Sequence, residues 1–112
     1  WDDHGDVYHI FRAMRMRLPL LDRTAAALIE DLCERGLSKR VLVVIASEFG
    51  RTPQVNMGRA AQPKNPGRDH WPSAMSVVLA GGGMNMGQVI GSTNAKGEMP
   101  HERPLDPNDL LA

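Results

Sequence analysis

The sequence contains a single cysteine, Cys33, among 112 residues. One thiol excludes an internal disulfide and any zinc site that needs several cysteines. No apolar run approaches the ~18 residues needed to cross a membrane, so we expect no membrane span. Lys plus Arg equals Asp plus Glu, at 13 each, and a neutral chain has no overall field that attracts nucleic acid. Any chemistry must therefore come from local clusters.

The sequence also lacks the patterns of nucleotide and nucleic-acid binding. Cationic residues concentrate between Arg51 and Arg68, but Pro, Gly and Asn separate them and no aromatic stacking residues are interleaved. The three glycines at 81–83 lack the spacing of a phosphate-binding loop and do not open a helix. We therefore expect no nucleic acid partner, and a nucleotide- or nucleic-acid-binding module is the least favoured reading.

A helix followed by an apolar strand dominates the first half of the chain. Apolar residues recur at helical spacing over 18–35 and predict an amphipathic helix that ends at Gly36 and packs on a sheet through Leu21, Ala25, Leu28 and Leu32. A shorter helix over 7–16 precedes it, with Pro19 as the break. Residues 41–46 are apolar without alternation, which predicts a strand buried on both faces of a parallel sheet. This order indicates an α/β fold.

The second half of the chain is irregular. Residues 52–66 show no periodicity and predict a long loop, of the kind that is often functional. A second short strand is expected over 75–80, ending at a glycine-rich turn, and a small hairpin over 89–97. Asp106 and Pro107 have the residue types of a helix start.

Candidate site residues fall into three clusters. Glu48 directly follows the apolar strand, and ligands of open α/β sheets bind beyond the carboxyl ends of strands. Asp2-Asp3-His4 and Arg68-Asp69-His70 add carboxylates and imidazoles, which suit divalent metals. Singly, each cluster has an ordinary explanation as a solvated loop, a helix cap or ion pair, or a packed loop histidine. Only the fold can bring these distant clusters together.

Five motifs then appear in a fixed order: "WDDHG", "EFGRTP", "GRDHWP", "LAGGGMNMGQVIGSTNAKGE" and "PLDPNDLLA". Over essentially the whole chain they resemble the sulfatase-like domain-of-unknown-function family 1501 of the alkaline phosphatase superfamily. The resemblance implies that residues 1–112 are the C-terminal part of a three-layer α/β/α sandwich. The remainder of that domain, including the nucleophile, would lie upstream of Trp1.

The resemblance further implies a metal-dependent hydrolase of phosphate or sulfate esters, acting on a small molecule or a polysaccharide with one or two divalent ions (Zn, Mn, Mg or Ca). The implied ligands are Asp2, His4, Glu48 and His70, with Asp69 as a further candidate, and Arg51 and Arg68 would bind the substrate anion. Glu48-Phe49 stands where the superfamily usually has Asp-His, which removes one imidazole from a second site. The alternative is a non-catalytic, exported binding or scaffold relative. Export is expected because family members often carry a twin-arginine leader.

We expect residues 1–112 to be inactive by themselves, because the nucleophile and at least one ligand would lie upstream. The test is to assay the 112-residue chain and the intact protein on an aryl phosphate and an aryl sulfate with Zn, Mn, Mg and Ca. Substantial turnover by the short chain, abolished by His70→Ala, would contradict this expectation.

Overall fold

A computed structural model of the chain describes residues 2–5, 8–57 and 65–110. These residues form a long helix, six short strands and a final 3-10 helix. The helix is α1 (Ile10–Glu34), and the strands are β1 (Leu42–Ile45), β2 (Gly50–Arg51), β3 (His70–Trp71), β4 (Val78–Gly81), β5 (Ser92–Thr93) and β6 (Pro100–Glu102); the 3-10 helix spans Pro107–Leu110. The mixed α/β class predicted from the sequence is confirmed at this coarse level. Among the described residues, no helix is both long and apolar enough to cross a membrane.

The helix is continuous where the sequence predicted two. Pro19 lies inside α1, so the expectation that it breaks or redirects the chain is wrong. A proline removes one helical hydrogen bond and costs about 3 kcal/mol, but it does not forbid a helix that good helix formers extend on both sides. The predicted stop is confirmed, since Arg35 is the C-cap and Gly36 follows in the left-handed region with φ of 69°.

The helix is anchored by its beginning and not by its predicted apolar face. Ile10 and Ala13 are its buried residues, and the Ile10 amide donates to the Pro66 carbonyl at 2.9 Å. Leu21 and Leu28 are exposed, so the prediction that they pack on a sheet is wrong. Amphipathic spacing identifies which residues share a face, but it does not specify what covers that face.

Strand β1 differs from its predicted environment in two ways. It pairs with β4 in antiparallel register, with Leu42 opposite Gly81 and Ile45 opposite Val78, so the predicted parallel pairing is wrong. Leu42 and Val44 are exposed while Val43 and Ile45 are half-buried, so burial on both faces is also wrong. An uninterrupted apolar run shows that both faces tolerate burial, and it does not show that both are buried.

Several local predictions are confirmed. The strand expected over 75–80 is β4 at Val78–Gly81, and Gly82 and Gly83 form the turn that follows it, with positive φ at all three glycines. A hairpin turn spans 94–99, closed by the Asn94 amide on the Met99 carbonyl at 2.9 Å, although its strands are β5 and β6. Asp106 caps the terminal 3-10 helix by accepting from the Asn108 amide at 2.7 Å. Of the predicted 52–66 loop, residues 52–57 and 65–66 are described, and 58–64 lie outside the described residues. Within the described part, Asn56 forms an isolated antiparallel bridge with Gly67, just beyond the loop.

We expect Ile10→Ala to lower the free energy of unfolding by about 2–5 kcal/mol, as truncations of buried aliphatic side chains do. Ile10 is 8% exposed, whereas Leu28 on the same helix is 47% exposed. Leu28→Ala is the control and should cost less than about 1 kcal/mol. Denaturant unfolding of both variants measures the difference, and equal losses would contradict the anchoring of α1 by its first turn.

Candidate metal centre

Two histidines and one aspartate meet where the N-terminal segment contacts β3. The Asp2 Oδ1 atom lies 2.9 Å from His4 Nε2 and 2.8 Å from His70 Nε2. One oxygen or nitrogen from each of the three side chains lies within 4.8 Å of the others. The imidazole rings of His4 and His70 are 4.7 Å apart between centroids. Thus three of the four principal ligands expected from the sequence lie together, although 66 positions separate the histidines.

Strand pairing explains how His70 and Arg51 reach the cluster. β2 and β3 are antiparallel, with Arg51 directly opposite His70. The Arg51 Nη2 donates to Asp2 Oδ1 at 2.6 Å, and its Nη1 donates to the Arg68 carbonyl at 3.1 Å. The turn after β1 thus brings a guanidinium to the Asp2 carboxylate.

Asp69 holds the far side of the His4 ring. Its Oδ1 lies 2.9 Å from His4 Nδ1, and its Oδ2 accepts from the Asn56 side-chain amide at 2.7 Å. Since both ring nitrogens of His4 face carboxylates, a doubly protonated ring donates to both. A neutral ring that keeps its proton on Nδ1 donates to Asp69 and leaves the Nε2 lone pair for a cation. A carboxylate on the remote nitrogen is the usual outer-shell partner of a metal-binding histidine.

The charge environment keeps Asp2 ionised. The hydrogen bond from His70, followed by that from Arg51, holds the pKa of the Asp2 carboxyl far below its usual value. Because the folded-state pKa is lower than the unfolded value of about 3.9, these contacts stabilise the fold above that pH. Their contribution is lost as the pH falls toward the folded-state pKa. The Asp2 carboxylate is therefore anionic throughout the neutral range.

Glu48 and Arg68 are placed differently from the other predicted site residues. Glu48 is exposed and is not among the three converging side chains. Its neighbour Phe49 reaches the cluster instead. The centroid of the Phe49 ring lies 3.9 Å from that of the His70 ring and 5.8 Å from the Arg51 guanidinium carbon. Arg68 contributes its backbone, and its buried Nε has no hydrogen-bond partner within the described part of the chain.

Sequence reasoning missed Phe49 and Asn56 as neighbours of the site. Phe49 was noted only as the residue that replaces an imidazole, and nothing in the sequence pattern marked Asn56. Both reach the cluster through antiparallel pairings, of β2 with β3 and of Asn56 with Gly67. These pairings could not be derived from local periodicity.

The donor set fits a borderline divalent cation. Two imidazole nitrogens and one carboxylate oxygen suit zinc better than calcium or magnesium, which prefer oxygen ligands. Bonds of about 2.0–2.2 Å to a zinc-type ion place neighbouring donor atoms about 3.3–3.6 Å apart. The observed separations, from 2.8 Å to at most 4.8 Å, bracket that spacing. Three protein ligands leave coordination positions for water or substrate.

A cavity of about 580 Å³ lies beside the cluster, and its lining includes Asp69, the hydrogen-bond partner of His4. The Trp71 indole nitrogen donates to the Glu98 carbonyl at 2.6 Å, which joins β3 to the C-terminal hairpin turn. The cavity is lined by Thr52, Pro53, Gln54, Val55, Asn56, Asp69, Trp71, Lys96 and Glu98. Its size is that of a small-molecule site.

Comparison with known families places the chain in one family. The model described as "Protein of unknown function (DUF1501)" matches residues 1–112, so the chain belongs to the DUF1501 family. No significant match was found among curated proteins or among solved structures.

Gly67 permits the close approach that brings the two halves of the cluster together. A Cβ on Gly67 would lie 2.0 Å from the His4 carbonyl carbon and 2.2 Å from the Gly5 nitrogen. Since these are backbone atoms, no side-chain rotation can relieve the overlap. The site therefore requires glycine at this position.

We expect Gly67→Ala to displace the His4 backbone and to lower the free energy of unfolding by about 1–3 kcal/mol. The displacement should shift the His4 and His70 imidazole NMR signals. Gly36→Ala is the control, because nothing lies within 4 Å of a Cβ at this position. Its only expected cost is the backbone strain of an alanine at a φ of 69°, about 1–2 kcal/mol of unfolding free energy. It should destabilise the chain and leave the imidazole signals unchanged. Unshifted signals in Gly67→Ala would refute this packing.

Proposed function

We propose that this DUF1501 chain forms the metal-binding part of a hydrolase of phosphate or sulfate esters, in which Asp2, His4 and His70 hold a divalent cation. The convergence of their donor atoms within 4.8 Å is the observation that carries the proposal. The sequence motifs that resemble the alkaline phosphatase superfamily supply the reaction class and the three-layer sandwich that would surround this site.

The outer contacts of the cluster support a metal role. Asp69 accepts from His4 Nδ1 and is itself held by Asn56, so the His4 ring is oriented with Nε2 toward Asp2. The Phe49 ring packs against the His70 ring, with 3.9 Å between centroids and a tilt of 30°. Ligands with this support lose little conformational freedom when a cation binds.

Arg51 is the cation that we assign to the substrate anion. Its guanidinium lies next to the Asp2 carboxylate and opposite His70 in the strand register. A guanidinium presents parallel donors that match phosphate and sulfate oxygens. A bound metal would supply Lewis-acid stabilisation of charge on the ester oxygens, while the cavity that shares Asp69 would accommodate the alcohol part of the ester.

The alternative is a non-catalytic relative that keeps one metal for structure or binding. The position of Glu48 favours it, because this carboxylate is exposed and outside the converging group. One metal centre with three protein ligands would hold one ion, whereas many phosphatases use two ions to stabilise the attacking and leaving oxygens. Export from the cytoplasm belongs to both proposals and is tested by fractionating cells that produce the intact protein.

We expect the intact protein to bind one equivalent of zinc or manganese per chain and His70→Ala to weaken that binding by more than the roughly 10–100-fold typical of outer-shell changes. His101→Ala is the matched control, since His101 is an exposed histidine in β6. Titration with each metal measures affinity, and aryl phosphate and aryl sulfate assays measure hydrolysis. Metal binding without hydrolysis of any ester would favour the scaffold alternative, and equal affinities in the two variants would refute the assigned ligands.

A further inference from the structure

Asp3 is a buried carboxylate between two proposed metal ligands. Its side chain is 5% exposed, whereas that of Asp2 is 65% exposed and that of His4 is 25% exposed. The three consecutive side chains therefore alternate, with Asp3 directed into the protein and its neighbours directed to the cluster. The backbone of Asp3 is continuous with that of Asp2 and His4, so a contact that holds Asp3 in place also restrains the backbone of both proposed ligands.

The charge partner of Asp3 comes from the helix. Arg17 Nη1 donates to Asp3 Oδ2, and the Arg17 guanidinium carbon also lies 5.8 Å from the centre of the Tyr8 ring. A buried carboxylate is strongly unfavourable without such a partner. The ion pair thus joins α1 to residues 2–5, which carry Asp2 and His4 and are called the ligand segment below.

The opposite side of the ligand segment is held by the chain around β3. The Arg68 amide donates to the Asp3 carbonyl at 3.2 Å, and Gly67 packs against the backbone of His4. The Ile10 amide donates to the Pro66 carbonyl at 2.9 Å, which fixes the start of α1 to the same stretch. Helix α1, the ligand segment and the residues that precede β3 are therefore each in contact with the other two.

We infer that Asp3 and Arg17 are positioning residues that set the backbone of Asp2 and His4 for metal binding. The inference rests on the proposed metal function. Buried ion pairs add little net stability compared with apolar replacements, and their best-attested use is to fix one arrangement among several. Here the arrangement fixed is the one that turns Asp2 and His4 toward His70.

The test uses the intact protein and Zn²⁺ alone as the probe, with affinity measured by competition against a chromophoric chelator. Arg17→Gln and Asp3→Asn should each raise the Zn²⁺ Kd by about 10–100-fold, the range found for outer-shell partners. The double variant should show the same loss as one single variant, since either change breaks the same pair. Arg17→Lys keeps the charge and should recover part of the affinity.

Arg15→Gln is the matched control, because Arg15 is an exposed arginine on the same helix, and it should leave the Zn²⁺ Kd unchanged. Thermal unfolding of the metal-free variants separates positioning from stability. If a single variant fails to fold because one charge is left buried, the charge-free double variant decides. Wild-type affinity in the folded double variant, whatever its melting temperature, would overturn the positioning role and leave the metal centre intact. Absence of Zn²⁺ binding by the wild-type protein would overturn the metal centre and this inference with it.

Discussion

The close approach of Gly67 to the backbone of His4 and Gly5 is the contact on which the candidate site depends. A Cβ at this position would lie about 2 Å from backbone atoms. Because the approach is that close, the residues after Gly67 lie beside the N-terminal segment, and the His70 ring reaches Asp2. The hydrogen bond from the Arg68 amide to the Asp3 carbonyl is the next consequence of the same approach. The absence of a side chain at Gly67 therefore allows two clusters that are far apart in the sequence to lie next to each other.

The strand pairs have a supporting role. β2 and β3 contain only two residues each, too few to be stable without other contacts. Their register nevertheless determines that Arg51 and His70 are neighbours, and the stacked ring of Phe49 extends the contact by one residue. The candidate site is thus assembled from short extended segments, and the larger β1–β4 pair contributes none of its three candidate ligands.

Local features of the sequence predicted local structure well. Gly36 ends α1 because the positive φ there suits glycine. Asp106 caps the start of the 3-10 helix because its carboxylate accepts from the Asn108 amide. Residue type also selected Asp2, His4 and His70 as candidates. Packing could not be predicted in the same way. Leu28 and Val44 are apolar yet exposed, since apolarity permits burial without supplying the surface that would cover them. Phe49 and Asn56 were missed for a related reason, because their place at the site follows from antiparallel pairings that periodicity does not encode.

The ionic contacts of the cluster are poorly explained by folding stability. Asp2 is 65% exposed, and three cationic or potentially cationic groups share its Oδ1 atom. Exposed ion pairs contribute little to stability, because solvent screens them and ordering the side chains costs entropy. Three partners on one oxygen also repel one another when both imidazoles are protonated. Fixing two histidines against one exposed carboxylate therefore gains little for folding. Under the proposed function, the same arrangement with unprotonated ring nitrogens facing Asp2 would present three donor atoms to one cation. Asp69 accepts from the other nitrogen of His4, and the Phe49 ring lies against the His70 ring.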